Sequence, residues 1–169
     1  IANGGYKIKP KILTDDNQLT SEQVKKAIQL SEENYTYIPL FNDKKNIKII
    51  QEAMFSSTNE LYGTSYKSRI DDPKYQFAGK TGTAQVKRIS KRERELDLKT
   101  FQIPYEERDH ALYVAFGPYK NPRYSLSIIV EHGGSGSSAA APMATKLFKL
   151  IVDRHQHRKQ LPDYKEFNI

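Results

Sequence analysis

Three strand-like segments in the second half of the sequence limit the possible folds more than any other feature. Residues 75–86, 110–116 and 124–131 are rich in aromatic and β-branched side chains, which favour extended backbone. The last two segments are separated by residues 117–122, where one glycine, two prolines and an asparagine are typical of a turn. Because strands joined by a short turn pair antiparallel, we predict a three-stranded antiparallel meander.

Apolar residues at helical spacing predict two helices beside this meander. One covers about residues 45–58, where Ile47 and Met54 lie on the same apolar face. The other covers about residues 139–155, follows a glycine- and serine-rich break, and carries Phe148 on its apolar face. Strands and helices that follow one another in this way indicate the α+β fold class, with the second helix covering the sheet.

The rest of the chain gives weaker signals. A further helix is predicted over residues 20–34, and residues 87–108, rich in both charges, are predicted to form a long exposed loop. We expect residues 1–155 to be one portion of a single domain and residues 156–169 to be a C-terminal tail. The sequence starts without a methionine, so we expect it to be part of a longer protein.

Charge and composition exclude some classes of function. The absence of cysteine excludes disulfides and thiolate metal sites, and no apolar run approaches the about 20 residues that span a bilayer. The net charge of +7 permits attraction to nucleic acid, phospholipid headgroups or anionic wall polymers. Basic composition without a concentrated patch does not indicate nucleic acid, so we predict no nucleic-acid partner.

One motif in the first strand points to chemistry. The motif, called the tetrad below, consists of Lys80, Thr81, Gly82 and Thr83. A glycine inside a strand normally weakens it, so Gly79 and Gly82 indicate that another group approaches the backbone closely. An extended peptide substrate could pair with the free edge of such a strand. The lysine would then supply a positive charge, and the threonine hydroxyls could hold a carboxylate.

The tetrad resembles the Lys-Thr-Gly motif of the penicillin-recognising serine acyltransferases. The order of the surrounding segments is also similar to that family. Before the tetrad come Glu52-Ala53-Met54 in the first helix and Gly63-Thr64, and after it come residues 115–122 and Glu131-His132-Gly133-Gly134. The two later segments resemble the elongation-type class B penicillin-binding proteins in particular. The resemblance implies a partial penicillin-binding transpeptidase (β-lactamase-like) fold.

The resemblance also implies an activity. In this family a serine attacks a peptidoglycan stem peptide that ends in D-Ala-D-Ala, and an amine from a second stem peptide resolves the acyl-enzyme as a cross-link. β-Lactams imitate the first substrate and acylate the serine. By its match to the motif, Lys80 is expected to be catalytic, through electrostatic stabilisation and by orienting a proton-shuttling serine. Thr83 is expected to be catalytic through its backbone N–H in the oxyanion hole.

The same match assigns substrate contacts. Thr81 and Thr83 are expected to bind the terminal carboxylate of the stem peptide, and Gly82 is expected to keep the strand edge open. The resemblance implies no metal and no organic cofactor. It implies a location at the periplasmic face of the bacterial inner membrane through an anchor outside this chain, and a membrane glycosyltransferase as partner.

The sequence departs from the family pattern in one respect. No serine is followed by a lysine three positions later, so the nucleophile of the Ser-x-x-Lys motif is absent and the chain alone is expected to be inactive. Ser57-Thr58-Asn59 matches the second family motif, Ser-x-Asn. It lies only roughly twenty residues before Lys80, whereas the resemblance implies a position much farther upstream. We interpret it as the end of a helix.

Two alternative functions stay open from the sequence. A serine β-lactamase or penicillin sensor would share the tetrad, and a basic module that binds nucleic acid or an anionic wall polymer would share the charge. Two other features are given structural interpretations. His155 and His157 lie two positions apart on a helix and do not share a face, and the glycine-rich residues 133–136 lack the ending of a phosphate-binding loop.

Overall fold

The computed structural model describes residues 1–5, 43–88, 95–96 and 98–160. The chain divides into two compact units, one formed by residue 1 with residues 3–49 and the other by residue 2 with residues 50–169. The predicted helix at 20–34 and residues 161–169 of the predicted tail lie outside the described residues. The elements that carry the tetrad and its surroundings all belong to the second unit, from residue 50 onward.

Three antiparallel strands form the sheet of the second unit. They are β1 (Ala78–Ala84), β2 (His110–Gly117) and β3 (Tyr124–Val130). The strand order is β1-β2-β3, which confirms the predicted meander. β1 is shorter than predicted because Tyr75 closes a turn, donating its backbone N–H to the Asp72 carbonyl at 2.9 Å. At its other end the Val86 N–H leaves the strand ladder and bonds the carboxylate of Asp109 at 3.3 Å.

Among the described residues, one long helix precedes the three strands in the sequence and one follows them, as predicted. Helix α1 (Lys44–Asn59) is the first of the two, and helix α2 (Ala141–Lys159) follows a single π turn at Gly136–Ala140. α2 continues past the predicted end at residue 155. Its last turn carries His157, Arg158 and Lys159, and basic side chains there interact favourably with the negative end of the helix dipole.

The predicted long loop between β1 and β2 is only partly irregular. It contains two short 3-10 turns, Thr100–Gln102 and Tyr105–Glu107, in which no residue is buried. The Lys87 ammonium and the Glu107 carboxylate approach to 2.6 Å and join the two ends of the loop. No described residue of the loop is buried, in agreement with the prediction, and the two ends of the loop are held together next to β1.

The hydrophobic core lies between one face of the sheet and α2. Tyr113 from β2 is fully buried, and Phe77 and Phe148 stack with 4.7 Å between ring centroids. Alanines fill the space around these rings, and their small side chains let the helix approach the sheet closely. The predicted α+β arrangement, with the second helix covering the sheet, is confirmed. In the described part of the chain β1 and β3 are the edge strands, so the tetrad lies on an edge.

Candidate functional site

The backbone of β1 bonds to β2 on one side and to side chains on the other. The carbonyl of Phe77 accepts from Asn59 Nδ2 at 3.0 Å, and the carbonyl of Thr81 accepts from Lys80 Nζ at 2.8 Å. Both carbonyls therefore point away from β2. Backbone groups of a strand alternate in direction, so the N–H groups of Thr81 and Thr83 point the same way. The free edge of the tetrad presents the backbone groups of its two threonines.

The side chains of the tetrad differ in their exposure. Lys80 and Thr83 are exposed, whereas Thr81 and Gly82 are partly buried. The Lys80 ammonium folds over the edge onto the carbonyl of its own neighbour, Thr81. A peptide that pairs with this edge would compete for that carbonyl and release the ammonium toward the incoming chain.

The group that approaches Gly79 is a protein side chain. A Cβ at Gly79 would overlap the hydroxyl oxygen of Tyr113 and lie 2.8 Å from its Cε1 atom. The glycine here accommodates the Tyr113 ring and is not a sign of substrate. Next to Gly82 the close approach comes from Gly136, where a Cβ would lie 2.6 Å from the Gly82 carbonyl oxygen. Both close approaches fix the backbone of β1 from inside the protein.

The Gly79→Ala substitution is expected to lower the free energy of unfolding by about 2–3 kcal/mol, the upper part of the range for overpacked cores. The Tyr113 ring is completely buried and cannot move aside without opening the core. Urea unfolding followed by circular dichroism measures the change. The control is Gly82→Ala in the same strand, where the nearest atom to the new methyl group is Leu112 Cβ at 3.3 Å. Equal losses for the two variants would contradict the conclusion that the Tyr113 ring fills the space beside Gly79.

Three buried hydroxyl groups meet beneath β1. The Tyr113 hydroxyl lies 3.0 Å from Thr58 Oγ1 and 3.1 Å from Ser65 Oγ. The Thr58 and Ser65 oxygens are 3.3 Å apart. At most 1% of each of the three residues is exposed. Sequence reasoning missed this cluster, because its members are 7 to 55 positions apart and each alone resembles an ordinary core or helix-end residue.

The Ser57-Thr58-Asn59 segment ends helix α1, as predicted. Its side chains connect the helix end to the strand that carries the tetrad. Asn59 Nδ2 donates to the carbonyl of Phe77 at 3.0 Å, and Thr58 Oγ1 lies 3.5 Å from the carbonyl of Gly79. In this chain the segment supports β1 from its outer side.

His110 and His132 lie close together at neighbouring strand ends, His110 as the first residue of β2 and His132 two residues after the end of β3. The His132 backbone N–H donates to Nδ1 of His110 at 3.0 Å, and the two rings are 4.8 Å apart. The Gly133 N–H closes the turn after β3 on the Val130 carbonyl at 3.1 Å, and the Gly134 N–H donates to the Asp109 carbonyl at 2.8 Å. No group of three or more metal-ligating side chains occurs in the residues that the structure describes.

A cleft of about 250 Å³ lies apart from the tetrad, between the β2–β3 turn and the end of α2. Its lining residues are Lys74, Pro118, Asn121, Arg123, Tyr124, Val152, His155, Gln156 and Lys159. Lys74 forms a salt bridge with Asp153, with 3.1 Å between Nζ and Oδ1. The hydrogen bonds to Tyr75 and Asp153 raise the pKa of Lys74.

None of the described helices is long and apolar enough to span a membrane.

Comparison with known proteins identifies the family. Residues 1–149 match the model of the penicillin binding protein transpeptidase domain. The peptidoglycan D,D-transpeptidase MrdA of Haemophilus influenzae is 30% identical over 164 residues, which are 94% of this chain and 24% of that protein. MrdA of Salmonella typhimurium is 38% identical over 105 residues, which are 62% of this chain and 16% of that protein. The chain therefore spans about a quarter or less of these relatives.

A solved structure agrees with the sequence matches. The complex between penicillin-binding protein PBP2 and MreC from Helicobacter pylori contains a chain that aligns with a TM-score of 0.56 and 29% identity. The alignment covers 73% of this chain and 21% of that chain. The predicted resemblance to the elongation-type class B penicillin-binding proteins, here PBP2, and the predicted partial transpeptidase fold are both confirmed. This chain belongs to the penicillin-binding protein transpeptidase domain family.

Proposed function

We propose that this chain supplies the tetrad-bearing part of a peptidoglycan D,D-transpeptidase that cross-links stem peptides during cell-wall elongation. The observation that carries the proposal is the free edge of β1. It presents the Thr81 and Thr83 backbone groups beside the Lys80 ammonium, in a chain whose match to the transpeptidase family runs over residues 1–149. The named relatives are D,D-transpeptidases, which favours this activity over that of a β-lactamase or a penicillin sensor.

The edge geometry suits recognition of an extended peptide. A stem peptide that ends in D-Ala-D-Ala would add to β1 as a further strand and bond the main chain of Thr81 and Thr83. The Thr81 and Thr83 hydroxyls would hold its terminal carboxylate. The Lys80 ammonium would leave the Thr81 carbonyl and stabilise negative charge at the reacting end. Gly82, which has no side chain, would let the peptide lie close to the strand.

The chemical step needs a serine from elsewhere in the longer protein. That serine attacks the carbonyl carbon of the penultimate D-Ala, the oxygen of this carbonyl takes the negative charge, and the terminal D-Ala leaves as its amine. The Thr83 N–H would donate to that oxygen from a fixed position in the oxyanion hole. An amine of a second stem peptide then displaces the serine and forms the cross-link. The 169-residue chain alone is expected to form no acyl-enzyme.

Lys80→Ala, made in the longest natural protein that contains this chain, is expected to slow acylation by benzylpenicillin about a hundredfold, the loss typical of removing one oxyanion-stabilising group. The reason is the loss of the fixed positive charge at the β1 edge. Intact-protein mass spectrometry over time measures the rate, because acylation adds the mass of the whole β-lactam.

The matched control is Lys120→Ala, which removes a lysine from the β2–β3 turn and should leave the rate unchanged. The isolated 169-residue chain should gain no mass. Equal rates for the wild type and the Lys80 variant would contradict the role given to Lys80. A well-folded natural protein that never gains the mass would contradict the transpeptidase proposal itself.

The location and partners follow from the same proposal. The longer protein would act at the periplasmic face of the inner membrane through an anchor outside this chain, together with a membrane glycosyltransferase that supplies new glycan strands. The structural relative from Helicobacter pylori forms a complex with MreC. A comparable partner for this protein would belong to the elongation machinery.

A further inference from the structure

The buried hydroxyl cluster of Thr58, Ser65 and Tyr113 lies directly beneath the residue that precedes the tetrad. The Tyr113 hydroxyl occupies the position where a side chain of Gly79 would be. Gly79 is followed immediately by Lys80. Any shift of the Tyr113 hydroxyl is therefore transmitted to the strand one residue before the proposed catalytic lysine.

The two hydroxyls that contact Tyr113 are also bonded to helix α1. Ser65 Oγ donates to the carbonyl of Ser57 at 3.0 Å, and Thr58 Oγ1 donates to the carbonyl of Met54 at 3.3 Å. Each of the two oxygens also lies within hydrogen-bond distance of the Tyr113 oxygen, Ser65 at 3.1 Å and Thr58 at 3.0 Å. The Tyr113 hydroxyl can donate its proton to either of them. The cluster therefore connects Tyr113 to the backbone of helix α1 through both side chains.

This arrangement holds the Tyr113 ring in one position. A buried hydroxyl without partners is costly, so the ring cannot slide along β1 without losing bonds on both sides. Burial also raises the pKa of the Tyr113 hydroxyl, which keeps it protonated and able to donate at neutral pH. Phe77 packs against the ring edge-on, with centroids 6.4 Å apart, and closes the remaining side.

We propose that Tyr113 is a positioning residue for the tetrad. Its hydroxyl is fixed by Thr58 and Ser65 and contacts the backbone of β1 at Gly79. The contact sets the distance of this backbone from the core and so preorganises the edge from Lys80 to Thr83. The inference rests on the proposed transpeptidase function. Preorganised groups lose much of their effect when they are displaced by as little as 1 Å, so a cluster that fixes the strand affects the rate as well as the fold.

The test is Tyr113→Phe in the longest natural protein that contains this chain. Removal of the hydroxyl keeps the ring but breaks both bonds, and Thr58 and Ser65 lie close enough to bond each other. The expected result is an about tenfold lower rate constant for benzylpenicillin acylation, a fraction of the hundredfold loss that a 1 Å misplacement can cause. The rate is normalised to the amount of acylable protein, so a smaller folded fraction cannot imitate the effect.

Two controls separate positioning from general stability. Tyr75→Phe removes another tyrosine hydroxyl, which bonds Asp153 at 2.6 Å on the exposed surface, and should leave the rate unchanged. Thr58→Val should reproduce the Tyr113→Phe loss, and Thr58→Ser, which keeps a hydroxyl, should restore most of the rate. An unchanged normalised rate in both Tyr113→Phe and Thr58→Val would overturn the proposal.

A second readout does not depend on catalysis. Amide hydrogen exchange of the Lys80 and Gly82 N–H groups, which face β2, should become at least about fivefold faster in Tyr113→Phe, since local opening of β1 then costs less. Exchange in β3 should not change. If the wild-type protein is never acylated, the proposed function fails while this measurement still decides the positioning role: unchanged exchange in β1 would overturn it.

Discussion

Phe148→Ala is expected to lower the free energy of unfolding by about 3–5 kcal/mol, the range measured for large aromatic residues removed from protein cores. Phe148 is completely buried and stacks on Phe77 at 4.7 Å, with 18° between the ring planes. Its surroundings include several alanines, whose short side chains cannot extend into the space that the ring would leave. The cavity would therefore stay largely open.

Urea unfolding of the chain followed by circular dichroism measures this loss. Leu150→Ala in the same helix is the matched control, because 62% of Leu150 is exposed and its removal should change stability by less than about 0.5 kcal/mol. A loss below about 1 kcal/mol for Phe148→Ala would show that α2 does not pack on the sheet through this ring.

Gly136→Ala is expected to cost about 3 kcal/mol, the upper end of the range for overpacking. A methyl group at this position would overlap the carbonyl oxygen of Leu112 and lie 2.6 Å from that of Gly82. Both oxygens belong to paired strands, so neither can move without disturbing the β1–β2 ladder. The same displacement would move the tetrad, and acylation of the longer protein should fall together with stability.

Ser138→Ala provides the comparison for Gly136→Ala within the same π turn. Ser138 is exposed, and its hydroxyl makes only a 3.4 Å bond to the Ser135 carbonyl, so a loss below about 0.5 kcal/mol is expected. Thermal unfolding of both variants measures the difference. Similar melting temperatures would contradict the close packing of the π turn on β1 and β2.

The elements of the fold could be predicted because their signals are local. Aromatic and β-branched residues, together with turn residues, located β2 and β3 to within a residue of their observed ends, and the spacing of apolar residues located α1 and α2. The ends of β1 were predicted less well. They depend on bonds to Asp72 and Asp109, and nothing in the sequence of the strand itself shows which polar side chain will compete with the ladder.

The sequence by itself determined the meander, the position of the tetrad in its first strand and the family to which the chain belongs, because each of these depends on short runs of residues. Only the tertiary structure decided which atoms approach the glycines. Gly79 accommodates Tyr113 and Gly136 approaches Gly82, and the three hydroxyls beneath β1 come from a helix, a loop and a strand. These contacts arise when the elements pack, and packing depends on shapes and distances between residues far apart in the sequence.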